Sequence, residues 1–225
     1  MAAKHDLTAL DLGRPARLEP DLAAYFEKCR DKLGFVPNVL QAYAFDNAKL
    51  KAFVMMADEL MLGDSGLSKL EREMIAVAVS AVNHCHYCLT AHGAALRQRA
   101  NDPELGETIA HNYRAADLAP RHRAMLDFAV RLTEAPDKID DADRQKLRTA
   151  GFSDRDIWDI AAVAGFYNMS NRLAAAVDLR PNQNYHYTLR DKPPAHPAAA
   201  VAAPRARQRQ QPSGGRRKSR SATVV

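Results

Sequence analysis

The stretch SKLEREMIAVAVSAVNHCHYCLTAHGAALRQRA, residues 68–100, decides the fold. Ser68 with Glu71 three positions later has capping-box spacing, so a helix opens here. It continues through a strongly apolar run to about Val82. Asn83-His84 is the break, and a second helix starts at Cys85 and runs to Arg99.

Outward from this pair, apolar positions recur at three and four, and the interruptions have the chemistry of helix ends. Asp21 to Leu33 is a helix closed by Gly34, and Pro37-Asn38 starts a short one to Phe45. Asn47 to Leu62 is ended by Gly63-Asp64, and further helices are expected at 103–112, 120–134, 140–149 and 153–177. Gly151 closes the penultimate one and Ser153 can cap the last. The composition agrees: 10 Gly, 7% aromatic residues and abundant Ala, Leu, Arg, Asp and Glu favour helices, because unbranched side chains lose little rotamer freedom there. An all-α fold is expected. Leu67–Val79 also aligns with Leu118–Val130 at an offset of 51, with Leu, Arg, Met, Ala and Val identical at matched positions. This is a degenerate helical repeat, whose second copy carries Ala124, Pro136 and Ile139 where the first has Glu73, Cys85 and Cys88.

The net charge of +5 raises nucleic acid as a partner until the charge is located. Residues 191–225 hold eight Lys and Arg against one Asp, leaving 24 basic and 26 acidic side chains in the other 190 residues. The folded part is not basic, and no specific nucleic-acid partner is expected. The tail is rich in Pro, Ala and Arg with few large apolar residues, so burial cannot offset its ordering entropy. The expected organisation is a flexible segment at 1–17, one helical domain at 18–187 and a disordered basic tail at 188–225. The amino terminus lacks the apolar core of a secretory signal and no run of 18 apolar residues occurs, so a cytoplasmic protein without a membrane span is expected. Three cysteines make no secreted disulfide framework, and a close pair in a reducing compartment points to redox chemistry or metal.

On a helix, Cys85, Cys88 and His92 are spaced i, i+3, i+7 and share one face. A helix amino terminus stabilises a thiolate, the nucleophilic form of cysteine toward a peroxide. His92 stands one turn beyond Cys88 as proton acceptor. Glu73 is about 18 Å away along a straight helix, and only a fold-back at Asn83-His84 brings it to His92. There it would complete a nucleophile, base and orienter arrangement. The competing reading pairs Glu73 with Arg72 or Arg123 at the surface.

The pattern Glu73, eleven residues, Cys85-x-x-Cys88, three residues, His92 resembles the signature of the alkylhydroperoxidase AhpD-like branch of the carboxymuconolactone decarboxylase superfamily. Gly34-Phe-Val-Pro37-Asn38, Leu67-Ser-x-x-Glu-Arg72 and Val163-Ala-Gly-Phe-Tyr167-Asn168-Met-Ser-Asn171-Arg172 resemble segments of its peroxidase-related subgroup, over residues 18–180. The resemblance implies an AhpD-like helical bundle, a homo-oligomer that is commonly a trimer or hexamer, and a dithiol cycle that reduces a small hydroperoxide at the expense of a thiol or dithiol reductant. Cys88 is assigned as peroxidatic and Cys85 as resolving. The reverse assignment also fits, since the first cysteine of such a motif usually has the more exposed sulfur. Tyr87 occupies a position where the best-known relatives have histidine. A tyrosine hydroxyl donates a hydrogen bond but is a poor base near neutral pH, so Tyr87 is at most an auxiliary.

No cofactor and no metal is expected, since zinc needs about four ligands and His84, His86 and His92 have no second Cys-x-x-Cys beside them. His84 and His86 are expected to face solvent or cap the helix, and Cys29 to be a buried or half-buried side chain. Tyr167, Asn168, Asn171 and Arg172 either line the pocket or form a buried hydrogen-bonded network. Two other functions remain in view: a decarboxylase-like lyase, which needs His and Glu but no redox pair, and a non-catalytic thiol sensor.

Overall fold

The computed structural model describes residues 7–13 and 17–190, and among them every regular element is helical. The helices are α1 (Pro20–Leu33), α2 (Asn38–Tyr43), α3 (Asn47–Leu62), α4 (Lys69–Val82), α5 (His86–Ala100), α6 (Pro103–Asn112), α7 (Pro120–Glu134), α8 (Asp141–Thr149) and α9 (Asp154–Ala176). Their ends follow local chemistry. Gly34 closes α1 at φ 80°, where a side chain would be strained. Ser68 and Glu71 form the capping box of α4, with Ser153 and Asp156 doing the same for α9. Short 3-10 turns at Tyr113–Ala115, Pro136–Lys138 and Gln183–Tyr187 are additions that the sequence pattern does not announce.

α4 is the centre of the bundle. Helices α3, α5, α6, α7 and α9 pack on it, and every residue from Glu71 to Ser80 is buried. The repeat is visible in the packing: Met74 and Met125, Ala78 and Ala129, and Val79 and Val130 are all buried in the one core. A fully buried side chain of this size contributes roughly 1.5–3 kcal/mol. Arg72 and Arg123, matched in the repeat, also do the same job. Arg72 donates to Leu60 O at 3.3 Å and Gly63 O at 2.8 Å, and Arg123 to Tyr113 O at 2.8 Å and Ala116 O at 2.7 Å. Each guanidinium satisfies carbonyls left open at the end of the preceding helix.

A smaller cluster of Leu22, Phe26, Cys29, Leu40, Leu50 and Val54 joins α1, α2 and α3, so Cys29 is a core side chain. Two terminal segments are tied to this frame by backbone groups. Ala9 N donates to Val177 O at 2.8 Å and Arg180 N to Leu7 O at 3.0 Å, with Thr8 buried between them. Asn182 accepts from Asn38 N at 2.7 Å and donates to Val36 O at 3.0 Å, while Arg97 donates to the carbonyls of Tyr185 and Thr188. Residues 7–12 and 180–190 are thus seated on the bundle, although the sequence suggests a loose start and an end near 187. The basic tail from 191 onward, like residues 1–6 and 14–16, lies outside the described residues. No helix among the described residues is long and apolar enough to cross a membrane.

Candidate active site

The joint between α4 and α5 builds the site. Cys85 N donates to Ser80 O at 3.0 Å, so that six residues of chain double back around His84, which sits at φ 52°. This is a helix stop of the kind glycine usually provides, and a non-glycine residue there costs roughly 1–2 kcal/mol. The turn lays α5 back along α4 and leaves Cys85 as the N-cap of α5, so the helix begins one residue later than the sequence suggests. Cys85 Sγ accepts from Cys88 N at 3.4 Å, in the role that Ser or Asp normally takes.

Cys85 and Cys88 are both free thiols and both buried. The Cys85 thiol is lowered from its ordinary value to about 7: the hydrogen bond from the Cys88 thiol leads, helped by the Cys88 N–H, Asn171 and the charge of His92, against the opposing effect of burial. Cys88 is pushed far the other way by its hydrogen bond to Cys85, by burial and by the Cys85 charge. Of the two sulfurs, Cys85, at the helix amino terminus, is thus the one favoured as the thiolate.

Glu73 and His92 meet as the fold-back requires, with Nδ1 of His92 at 2.8 Å from the carboxylate. Arg99 Nε adds a weaker contact with Glu73 at 3.5 Å. The surface alternative fails because Arg72 and Arg123 are occupied by helix-end carbonyls. With a carboxylate beside it, Nδ1 donates its N–H to Glu73, and Nε2 is left to accept. The Tyr167 hydroxyl stands 3.1 Å from Nε2, and burial followed by the charge of Glu73 holds its pKa well above the ordinary tyrosine value. It is a donor only.

Tyr87 does not face the relay. Its hydroxyl accepts from Val39 N at 3.0 Å, an open donor in the first turn of α2, so the side chain docks α2 onto α5. His84 and His86 are exposed, and no group of three metal-ligating side chains occurs among the described residues. Asn171 and Asn168 form the network: Asn171 Nδ2 donates to Ser80 Oγ at 2.9 Å, Asn83 Nδ2 donates to Asn171 at 2.9 Å and Asn168 at 3.1 Å, and Arg172 donates to Asn168 at 2.8 Å. Ser80 and Asn83 are the members that sequence reasoning missed. The available signal was Ser80 itself, a hydroxyl inside an apolar run five residues before Cys85.

Two cavities meet at this group. One, of about 340 Å³, is lined by Cys88, His92, Tyr167 and Ser170 at its polar end and, apart from Thr8 and Lys49, by apolar and aromatic side chains elsewhere. Leu10, Leu12, Phe45 and Leu173, all exposed, form an apolar part of its lining. The other, of about 440 Å³, is lined by Glu73, His92, Cys29, Asp58 and Gln98 among others. His92, Tyr87 and Tyr167 belong to both walls, whereas Cys88 lines only the first cavity and Glu73 only the second. Cys85 lines neither.

Comparison with known proteins matches residues 48–130 to the carboxymuconolactone decarboxylase family. A peroxidase-related protein of Silicibacter sp. TM1040 is 57% identical, with a TM-score of 0.80 over 82% of this chain and 97% of that one. An alkylhydroperoxidase AhpD core, a peroxidase-related protein of Ralstonia eutropha JMP134, is 44% identical, with a TM-score of 0.77 over 80% of this chain and 95% of that one. The alkyl hydroperoxide reductase AhpD of Rhodococcus erythropolis (strain PR4 / NBRC 100887) is 42% identical over 45 residues, which span 20% of this chain and 25% of that protein.

Proposed function

We propose, from the premise that this chain belongs to the carboxymuconolactone decarboxylase family in its AhpD-like branch, that it is a thiol-dependent peroxidase reducing organic hydroperoxides through a Cys85–Cys88 dithiol/disulfide cycle. The observation that carries the reading is the pair of adjacent free thiols, one of which lines an apolar cavity beside the Glu73–His92 pair.

Cys88 is the attacking sulfur, because it lines the cavity and Cys85 does not. Its thiol proton passes across the shared hydrogen bond to Cys85. The Cys88 sulfur then bonds to the distal oxygen of ROOH, the O–O bond breaks, and the alkoxide takes a proton held on the His92–Glu73 pair to leave as ROH. Cys88 is now a sulfenic acid. Cys85 returns its proton to His92 and attacks the Cys88 sulfur, and the departing hydroxide takes that proton to become water. An external thiol or dithiol reopens the disulfide. Glu73 lines the other cavity, so protons can reach the pair without crossing the apolar one.

One equivalent of cumene hydroperoxide should remove two free thiols per chain within seconds, read with a thiol-reactive chromophore. Retention of both thiols would refute the peroxidase and favour the lyase reading of the family. Loss over hours would make the pair a sensor. A homo-oligomer in the cytoplasm completes the proposal, supported by Trp158, Met55 and Met56 at 75%, 65% and 52% exposure. Light scattering should give a mass of at least three chains, and a monomer at micromolar concentration would overturn that part.

A further inference from the structure

Three threonine hydroxyls in the helices of this protein satisfy themselves. Thr90 donates to His86 O at 2.9 Å, Thr133 to Ala129 O at 2.8 Å and Thr149 to Gln145 O at 2.9 Å, each one turn back along its own helix. Ser170, in the middle of α9, has the same option with Phe166 O and does not take it. Among the described residues, its Oγ is the buried side-chain polar atom without a hydrogen-bond partner.

A buried hydroxyl left unpaired costs about 1–3 kcal/mol. Such a group persists where something other than the resting fold uses it. Ser170 lies three residues after Tyr167 and four before Ala174, so it belongs to the stripe of α9 that lines the apolar cavity. Ala174 packs in the same cluster as Cys85 and Cys88, which places Ser170 one turn along α9 from the residue that touches the dithiol group. His92 and Tyr167 are committed to Glu73 and to each other. Ser170 is therefore the uncommitted donor at the polar end of the cavity.

We propose that Ser170 is a substrate-contacting residue of this site, donating its hydroxyl hydrogen bond to the alkyl oxygen of a bound organic hydroperoxide as the O–O bond breaks. The inference rests on the peroxidase reading above. The Cys88 sulfur forms its bond to the distal oxygen and is oxidised by two electrons, the peroxide is reduced, and negative charge develops on the alkyl oxygen. Ser170 holds that oxygen by a hydrogen bond and keeps its own proton, while the proton that completes ROH comes from the His92–Glu73 pair. A hydroxyl with no partner to give up can turn to the place where charge appears with little reorganisation at the moment of reaction.

Rapid mixing of reduced protein with tert-butyl hydroperoxide, followed by thiol loss, compares parent and Ser170→Ala. The same proteins are titrated with iodoacetamide, which consumes the thiolate but has no leaving alkoxide. The variant should oxidise about 10²-fold more slowly and be alkylated at the parent rate. Its melting temperature should equal or exceed the parent's, since the hydroxyl removed has no partner to lose. Oxidation at the parent rate would overturn the inference, as would an equal fall in oxidation and alkylation, which would place Ser170 on the thiolate rather than the substrate. If the parent itself resists oxidation, the peroxidase reading fails first and takes the inference with it.

Discussion

Cys88→Ser should lower hydroperoxide turnover by roughly 10⁴-fold or more, the scale expected when a nucleophile is removed from a site whose other groups remain. The cavity reaches Cys88 and not Cys85, so the remaining thiolate has no substrate to attack. Cys85→Ser should behave differently. Serine is a favoured N-cap, so α5 keeps its start and the variant should fold. Cys88 can then form one sulfenic acid per chain and stop, since no neighbouring thiol resolves it. Trapping with dimedone and mass spectrometry should show a single adduct on Cys88 after one equivalent of hydroperoxide. Turnover in both variants at the parent rate would remove the dithiol from the mechanism. A dimedone adduct on Cys85 in the Cys88→Ser protein, with turnover retained, would reverse the two roles.

The parent pair should be alkylated by iodoacetamide at Cys88, the sulfur that lines the cavity, with the rate rising through a midpoint near pH 7, where Cys85 loses its own proton and can take the one on Cys88. His92→Ala removes a charge that lowers the Cys85 pKa, and its midpoint should move upward toward the ordinary thiol value of 9.0. Glu73→Gln should move it the same way, because the carboxylate at Nδ1 is what holds the imidazole in place. Peroxide turnover should fall roughly 10²–10⁴-fold in each single variant, as for loss of a positioned acid–base group. The double variant should cost little more than either alone, since the two side chains act as one unit. Additive losses, or a Glu73→Gln profile that overlays the parent, would leave Cys88 with His92 alone.

The sequence reveals most where the controlling chemistry is local. Ser68 with Glu71 and Ser153 with Asp156 mark helix starts by side chains that bond three residues away, Gly34 and Gly151 mark helix ends by a positive φ, and these ends stand within a residue or two of expectation. The Glu73–His92 contact was legible for a related reason: one break at Asn83-His84 suffices to fold one helix on the next. Contacts that depend on three helices meeting left no such trace. Asn171 reaches Ser80 and Asn83 across 91 and 88 residues, and Tyr87 accepts from Val39 across 48. A tyrosine beside a reactive cysteine invites a chemical role, and here its hydroxyl holds a helix in place instead. The seating of residues 7–12 and 180–190 was equally hidden, because backbone groups carry part of it and the side chains that carry the rest, Asn182 to Asn38 and Arg97 to Tyr185, reach across 144 and 88 residues. Ser170 was unremarked for the opposite reason: nothing in a sequence separates a hydroxyl that bonds its own helix from one that does not.

The paired arginines of the repeat set how the molecule tolerates change. Arg72 grips carbonyls twelve and nine residues behind it, and Arg123 grips carbonyls ten and seven behind. The stretches they bridge differ in length, yet both end with the next helix entering the core at matched burial. A long side chain, rather than the count of residues in a loop, anchors each entry. Length variation ahead of either helix then costs only the slow logarithmic penalty of a larger loop. The connections before α4 and α7 are thus places where insertions can accumulate, and the dithiol, downstream of the first anchor, would keep its position while they do.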